Sequence, residues 1–407
     1  MKRSNSTTII FVLVVIAMDT AGFGIIYPVL PKLMTKLLQS DISTAAIYGG
    51  WLSFTYALMQ FVFAPILGNL SDRFGRRPVL LSSILGFGID CLFLAFAPNI
   101  FWLFIGRTIA GITGASFSVA SACIADISTD DNRTKNFGYI NAAYSSGFII
   151  GPAIGGVLGQ FGTHIPFIAA AILSFSNFIF GFFLFPESLD VDNRRVFDWK
   201  QANPFSALKH LNKFPMIITL ISAMFLVTVA GHSMPSVWAY FTTEKFNWSS
   251  DLIGYSLTFL GVMSIVVQSY IVGVFSKRMG DKSMIILGII LSTAGLLLIA
   301  FSSLEWLLIP ALTLHVLGNV HRAGFQSMIS SSVPKNEQGE LQGSLSSLMS
   351  LATIISPPLM TMVFSYFTSS GASKLYFPGI PYLIAALLTL LSLIPLLKVD
   401  KISKVGR

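Results

Sequence analysis

Apolar runs long enough to cross a hydrocarbon core recur from one end of this chain to the other, and they leave few ways to fold it. A helix needs about 20 apolar residues to span a bilayer core of about 30 Å. Runs of that kind cover approximately residues 8–34, 47–69, 78–97, 101–127, 136–161, 166–186, 215–241, 251–276, 282–303, 305–331, 340–367 and 377–398. Backbone polar groups in lipid must be satisfied within the protein, so such runs are helices. The expected fold class is an all-α membrane protein with twelve transmembrane helices. Composition agrees: charged residues make up only 11% of the chain, against about 25% in a soluble domain. The N-terminal Met-Lys-Arg passes straight into an apolar run with no small-residue cleavage site. The first run is therefore expected to be a retained span and not a removed signal peptide.

The net charge of +8 would point to nucleic acid in a soluble protein. Here its distribution points to topology. Arg73, Arg76, Arg77, Arg133, Lys135, Lys277, Arg278 and Lys335 all fall in junctions of one parity, and both termini are basic. The other parity carries only Lys32, Lys36, Lys245 and Lys374. The positive-inside rule then places both termini in the cytoplasm, and no nucleic-acid partner is expected. Cys91 and Cys123 both lie inside apolar runs and read as small core residues. No metal site and no cofactor is expected. The polar segment 187–214 separates six runs from six, dividing the chain into 1–186, a cytoplasmic linker 187–214, and 215–407. Within the linker, 197–211 is partly amphipathic and suited to lying on the membrane surface.

Ionisable residues inside spans are costly and normally face a cavity or a partner. Asp19 sits about twelve residues into the first run and Asp90 at similar depth in the third, by a rise of about 1.5 Å per residue. Arg107 lies in the fourth run. Asp19 with Arg107 is the expected pair, with Asp19 and Asp90 as proton-coupling candidates. His321 and Arg322 interrupt the tenth run. A guanidinium there can bind a carboxylate bidentately, so both are candidates to meet substrate. Tyr56, Gln60, Tyr144, Trp238 and Gln268 combine a hydrogen-bonding tip with a membrane position and are further cavity candidates.

Several motifs carry more than topology. Gly68-Asn-Leu-Ser-Asp-Arg-Phe-Gly-Arg-Arg-Pro78 forms the junction between runs two and three, and Gly273 to Lys282 echoes it between runs eight and nine. A positive-inside signal needs only basic residues. Gly68, Asp72, Arg73, Gly75 and Arg76 therefore read as a conformational latch, with Asp126 at the cytoplasmic end of run four within reach of Arg76. Gly106-Arg107-Thr-Ile-Ala-Gly111 lies in run four. Run five contains Gly147, Gly151, Pro152, Gly155 and Gly156, small residues that permit close helix approach and a proline that breaks the backbone ladder.

These motifs, together with Met18-Asp19-Thr-Ala-Gly-Phe-Gly in run one and Tyr56-Ala-Leu-Met-Gln60 in run two, resemble the major facilitator superfamily over essentially the whole chain. The similarity is densest in residues 17–160 and is greatest to its tetracycline–proton antiporters and drug exporters. The resemblance implies two pseudo-symmetric six-helix halves around a central cavity. It also implies a charge cluster at the Gly68 turn that holds the halves together in one state, and a run-five helix associated with antiport. It implies a monomer in the bacterial cytoplasmic membrane that exports a drug-like compound or organic anion in exchange for protons, with antibiotic resistance as the outcome. The partners implied are a small-molecule substrate, protons and the lipid bilayer.

The chain departs from the tetracycline exporters at Ser264 and Ser292, where a histidine and an aspartate are usual. His321 and Arg322 stand where small or apolar residues are usual. The departure keeps open an uptake symporter for an anionic nutrient or metallophore, and a membrane receptor that does not transport. No Gly-x-x-x-x-Gly-Lys-Ser/Thr phosphate loop is present, so neither direct ATP coupling nor enzymatic hydrolysis is expected.

Overall fold

A computed structural model describes residues 5–129, 132–197, 199, 215–333, 338–369, 373 and 375–397. The regular structure among the described residues is helical, with no strand among them. Nine of the helical segments among them are long and apolar enough to cross a membrane. Most of 197–211, the termini, and Lys200, Lys335 and Lys374 lie outside the described residues.

The helices follow the apolar runs, but several runs are broken. The first is expected to be continuous over 8–34. It forms α1 (Asn5–Ile26) and α2 (Leu30–Leu38) instead. Pro28 lacks an N–H and disfavours helical geometry at Tyr27, while Pro31 fits the first turn of α2. The fourth run divides into α5 (Ile100–Thr113) and α6 (Ser116–Ile127). The seventh divides into α9 (Pro215–Gly231) and α10 (Ser233–Phe246) at His232. The tenth divides into α13 (Leu308–Gly318) and α14 (Val320–Ser331) at Asn319. The runs broken in this way are the first, fourth, seventh and tenth.

The remaining runs give α3 (Ile42–Phe74), α4 (Arg76–Phe96), α7 (Arg133–Leu158), α8 (Ile165–Leu184), α15 (Gln338–Thr368) and α16 (Ile380–Leu391). Runs eight and nine form α11 (Ser250–Val266), a π turn at Val267–Ile271, and α12 (Val272–Phe301). The junction between these runs survives inside α12 as a kink at Gly280, with φ 70°. Its counterpart in the first repeat, Gly75, has φ 105°. Only glycine adopts such backbone freely, so both echoing motifs turn the chain by the same device.

The chain forms two compact units. One comprises Met1–Ser40, Thr55–Pro204 and Trp248–Thr258; the other comprises Asp41–Phe54, Phe205–Asn247 and Phe259–Arg407. In the first unit, Phe11, Val15, Leu80, Ile84, Val119 and Ile124 form an apolar core among α1, α4 and α6. α7 packs along α1 through glycine. A Cβ at Gly147, Gly151 or Gly155 would strike the carbonyl oxygen of Ala17, Ala21 or Ile25 respectively. On its other side α7 meets the start of α11. A Cβ at Gly156 would lie 2.7 Å from the Ser250 oxygen, and one at Gly254 would strike the Pro152 oxygen. A Cβ at Gly24 would fall 2.7 Å from Pro152 Cδ, so the proline ring occupies space that α1 leaves open. In the second unit, Leu220, Val227, Ile285, Ile289, Phe325 and Ile329 form the corresponding core among α9, α12 and α14.

Candidate functional site

The first unit buries an ion pair inside its helices. Arg107 on α5 donates from Nε to Asp90 Oδ1 on α4 at 3.1 Å, and its Nη2 donates to Asp90 Oδ2. Asp90 has no exposed surface and Arg107 is 9% exposed. Bidentate geometry of this kind is the strongest a carboxylate and guanidinium can adopt. Gly106 makes room for it, because a Cβ there would lie 2.8 Å from Asp90 Oδ1. The pairing expected for Arg107 was Asp19. The structure gives Arg107 to Asp90 instead, because α4 and α5 form an antiparallel hairpin that brings equal depths together. Asp90 stands eight residues before Pro98 and Arg107 nine after it.

Asp19 lies half-buried on α1 in the same polar neighbourhood, with the Ser116 side chain as its hydrogen-bonding partner. Tyr56 and Tyr144 lie within its electrostatic field. The Tyr56 ring sits 5.9 Å from the Arg107 guanidinium carbon, within cation–π range. Gln60 donates from Nε2 to Tyr56 Oη at 3.1 Å and to the Gly114 carbonyl at 2.9 Å. Gln60 thus satisfies a carbonyl freed by the break between α5 and α6. Tyr144 is 46% exposed and packs edge-on against Phe117. The Gly147 approach to Ala17 and Ala21 brackets Asp19, so the glycine face of α7 and the acid of α1 are mechanically one element. Ser116, at the start of α6, was not singled out from sequence. A serine next to a helix break is common, and nothing in the sequence ties it to Asp19.

The turn after α3 carries a second charged cluster. Arg76 Nη1 donates to Asp72 Oδ1 at 2.5 Å and to Ser71 Oγ at 2.8 Å, while its Nε donates to Asp126 Oδ2 at 3.0 Å. Glu187 joins them and was missed from sequence. Its carboxylate accepts backbone N–H bonds from Arg76 at 2.7 Å, Arg77 at 3.2 Å, and Ser188 and Leu189 at 3.1 Å. The helix N-cap, Gly75, has no side chain to offer, so a carboxylate from the far end of α8 supplies the cap and complements the helix dipole. A Cβ at Gly75 would strike that carboxylate. The signal was available as a Gly at the N-cap of a basic helix, which requires an outside acceptor. Arg73 stacks on Phe74 at 5.0 Å and is exposed. Gly68 has open space around its Cβ position, so packing does not demand glycine there. Every partner of Arg76 named here belongs to the same unit.

The second unit places different chemistry inside its helices. A small cavity with room of about 10 Å³ is bordered by Ser292, His315, Asn319, His321, Arg322 and Thr389. Ser292 Oγ and His315 Nδ1 are 3.1 Å apart. His321 Nδ1 donates to the Gly318 carbonyl at 2.6 Å, and its Nε2 is buried without a partner. His321 is 2% exposed, whereas Arg322 is exposed. Among the described residues no carboxylate pairs with Arg322. His232 at the α9–α10 break pairs with Thr353 Oγ1 at 3.1 Å.

Of the remaining candidates, Trp238 is not on a cavity wall. It is 1% exposed and packs against Phe241 and Tyr382, as a large apolar ring in a helical core does. Gln268 is exposed on the π turn. Ser264 bonds its own helix at Leu260 O, 2.8 Å away. No group of three or more His, Cys, Asp or Glu among the described residues is arranged to hold a metal.

Long apolar helices with ionisable side chains held between them define a multi-pass membrane transporter. The chain belongs to the Major Facilitator Superfamily, whose family profile matches residues 11–240 and 221–405. It is 38% identical to the tetracycline resistance protein, class C, of Escherichia coli, covering 96% of both chains. It is 36% identical to the class H protein of Pasteurella multocida, covering 94% of this chain and 93% of that one. The fold matches the crystal structure of the nucleoside transporter NupG with a TM-score of 0.74, at 14% identity over 96% of this chain and 98% of that one.

Proposed function

We propose that this protein exports a small organic molecule across a bacterial cytoplasmic membrane in exchange for protons. It works by alternating access, as a monomer with both termini in the cytoplasm, and residues 187–214 link its halves. The family and the near full-length similarity to tetracycline resistance proteins support this reading. So does one observation on the site. Arg107 is claimed by Asp90, which leaves Asp19 as a carboxylate inside the helices with a serine hydroxyl for a partner and no cation. A carboxylate in that position is costly when charged. It is the natural group to carry a proton. In the first unit Tyr56, Gln60 and Tyr144 are the candidate substrate contacts, and in the second unit Arg322 is. The Gly68 turn, through Asp72, Arg76 and Asp126, governs the exchange between states.

The test uses proteoliposomes with an imposed pH gradient, with tetracycline as the first compound. Asp19→Asn is expected to abolish uphill movement while preserving downhill exchange. Uphill accumulation at wild-type rate in that variant would exclude Asp19 as the proton carrier. The unpaired Arg322 favours an organic anion over a neutral compound. Reversing the gradient separates export from uptake: accumulation outside the cell-equivalent compartment supports antiport, and co-directional movement with protons supports a symporter.

A further inference from the structure

The cavity in the second unit is bordered by an exposed guanidinium and by a buried imidazole nitrogen that has no hydrogen-bond partner. Arg322 has no carboxylate partner among the described residues, and none borders the cavity. His321 Nε2 is buried and unpartnered at the same cavity. A native buried polar atom without a protein partner calls for an explanation, and a bound ion is one. The bordering hydroxyl and amide groups of Ser292, Asn319 and Thr389 are neutral. The enclosed room, about 10 Å³, holds a single atom, which can be a halide ion or one oxygen of a carboxylate whose remainder lies on the exposed Arg322 side.

The hydrogen bonding of His321 adds a proton to this picture. A carbonyl oxygen can only accept, so Nδ1 carries the hydrogen that is donated to Gly318. In the neutral ring Nε2 is then a bare lone pair, which would repel an anion. A proton added at Nε2 turns it into a donor. The titratable and charged groups that face it are Arg322 on its own helix and His315 on α13, with His232 beside Arg322. Asp281, further along the α14 packing face, is engaged by Ser327 at 2.6 Å. With only cationic or imidazole neighbours, a second positive charge at Nε2 needs an anion beside it. One anion and one proton entering together leave the net charge of the cluster unchanged.

We propose that this cavity is a proton-linked site for a compact monoanionic group, a carboxylate or a halide, held between the Arg322 guanidinium and a protonated His321 Nε2. The site deepens the export reading and rests on it for the carboxylate source, whereas its occupancy is measurable with no transport at all. A free carboxylate borne by the substrate and a chloride ion share the chemistry required.

The experiment measures thermal unfolding of the full chain in detergent, without a gradient, from pH 5.5 to pH 8. Chloride, acetate and benzoate are compared at equal ionic strength with hexafluorophosphate, a monoanion at every pH used whose globular bulk offers no single atom that enters the cavity. The wild type is expected to gain several degrees, saturably, from one or more of the small anions, and more at low pH. Arg322→Gln should lose the gain, and Arg322→Lys should keep part of it because the bidentate fork is gone. His321→Gln should retain a gain that no longer varies with pH. An acetate or benzoate gain that chloride competes away assigns the site to a substrate carboxylate. A gain from chloride alone assigns it to the free halide. The proposal is overturned if wild-type protein responds equally to the small anions and to hexafluorophosphate, or if Arg322→Gln responds as the wild type does. Failure of binding leaves proton-driven export by Asp19 standing, and loss of export with intact binding leaves this site standing.

Discussion

The two units solve the same problem, charge inside a helical bundle, in opposite ways. The first brings a guanidinium and a carboxylate together in a sealed bidentate pair and holds a second acid, Asp19, beside them. The second presents an exposed guanidinium with no acid among the described residues and has His315, His321 and His232 nearby. Compensation in the first is internal. In the second it is left to something else, and that difference separates a place to keep a proton from a place to receive an anion. The repeated turns differ in the same sense. Gly75 is followed by a helix start clasped by Glu187 and Arg76, whereas Gly280 is followed by Asp281, whose bond to Ser327 is exposed.

The sharpest way to break the comparison is to remove each guanidinium in turn. Arg107→Met leaves Asp90 buried and unpaired, and is expected to cost about 3–5 kcal/mol of stability. The companion Arg107→Met/Asp90→Leu double variant should recover most of that. Thermal unfolding of the purified protein measures both. A loss below about 1 kcal/mol in the single variant would mean that water reaches the pair and the seal is not real.

At the turns, Glu187→Ala removes the acceptor that caps α4 and should cost about 1–2 kcal/mol. Asp281→Ala at the second turn should change stability by no more than about 0.5 kcal/mol. Equal losses would erase the asymmetry between the repeats.

The smallest effect is at Arg322. Arg322→Met removes an exposed cation with no acidic partner among the described residues and should leave stability within about 0.5 kcal/mol of the wild type in the absence of small anions. A loss comparable to that of Arg107→Met would reveal a partner for Arg322 and merge the two cases.

Much of this arrangement was legible in the residues. Span length came from the apolar runs, and the Arg76–Asp126 contact could be read from depth and side. Helix breaks were legible only in part. Pro28 and Pro31 announce the first one. Gly231 and Pro235 flank His232 and Gly318 precedes Asn319, but glycine and proline are also tolerated within membrane helices, so these residues do not by themselves announce a break. Depth alone could not choose between Asp19 and Asp90 as the partner of Arg107, because it gives a residue's level in the bilayer and not the face of its helix. Counting about Pro98 shows that Asp90 and Arg107 share a depth on neighbouring helices, but their facing is seen only in the structure. Trp238 was misread because a ring with a polar tip looks the same in sequence whether it lines a cavity or fills a core. Glu187 was hidden by its place at the start of a polar segment, where an acid is unremarkable until the helix it caps is seen.

The glycine face of α7 has a consequence for how variation in this protein should be interpreted. At Gly147, Gly151 and Gly155 even one added methyl group would meet backbone oxygen, which cannot rotate away as a side chain can. Those positions tolerate no replacement without displacing α1, although none of them binds substrate or proton. A mutational scan scored by survival on drug would rank them with Asp19. The two kinds of intolerance part only when abundance is measured beside resistance. The glycine variants should vanish from the membrane, while a coupling variant should remain there, folded and inert.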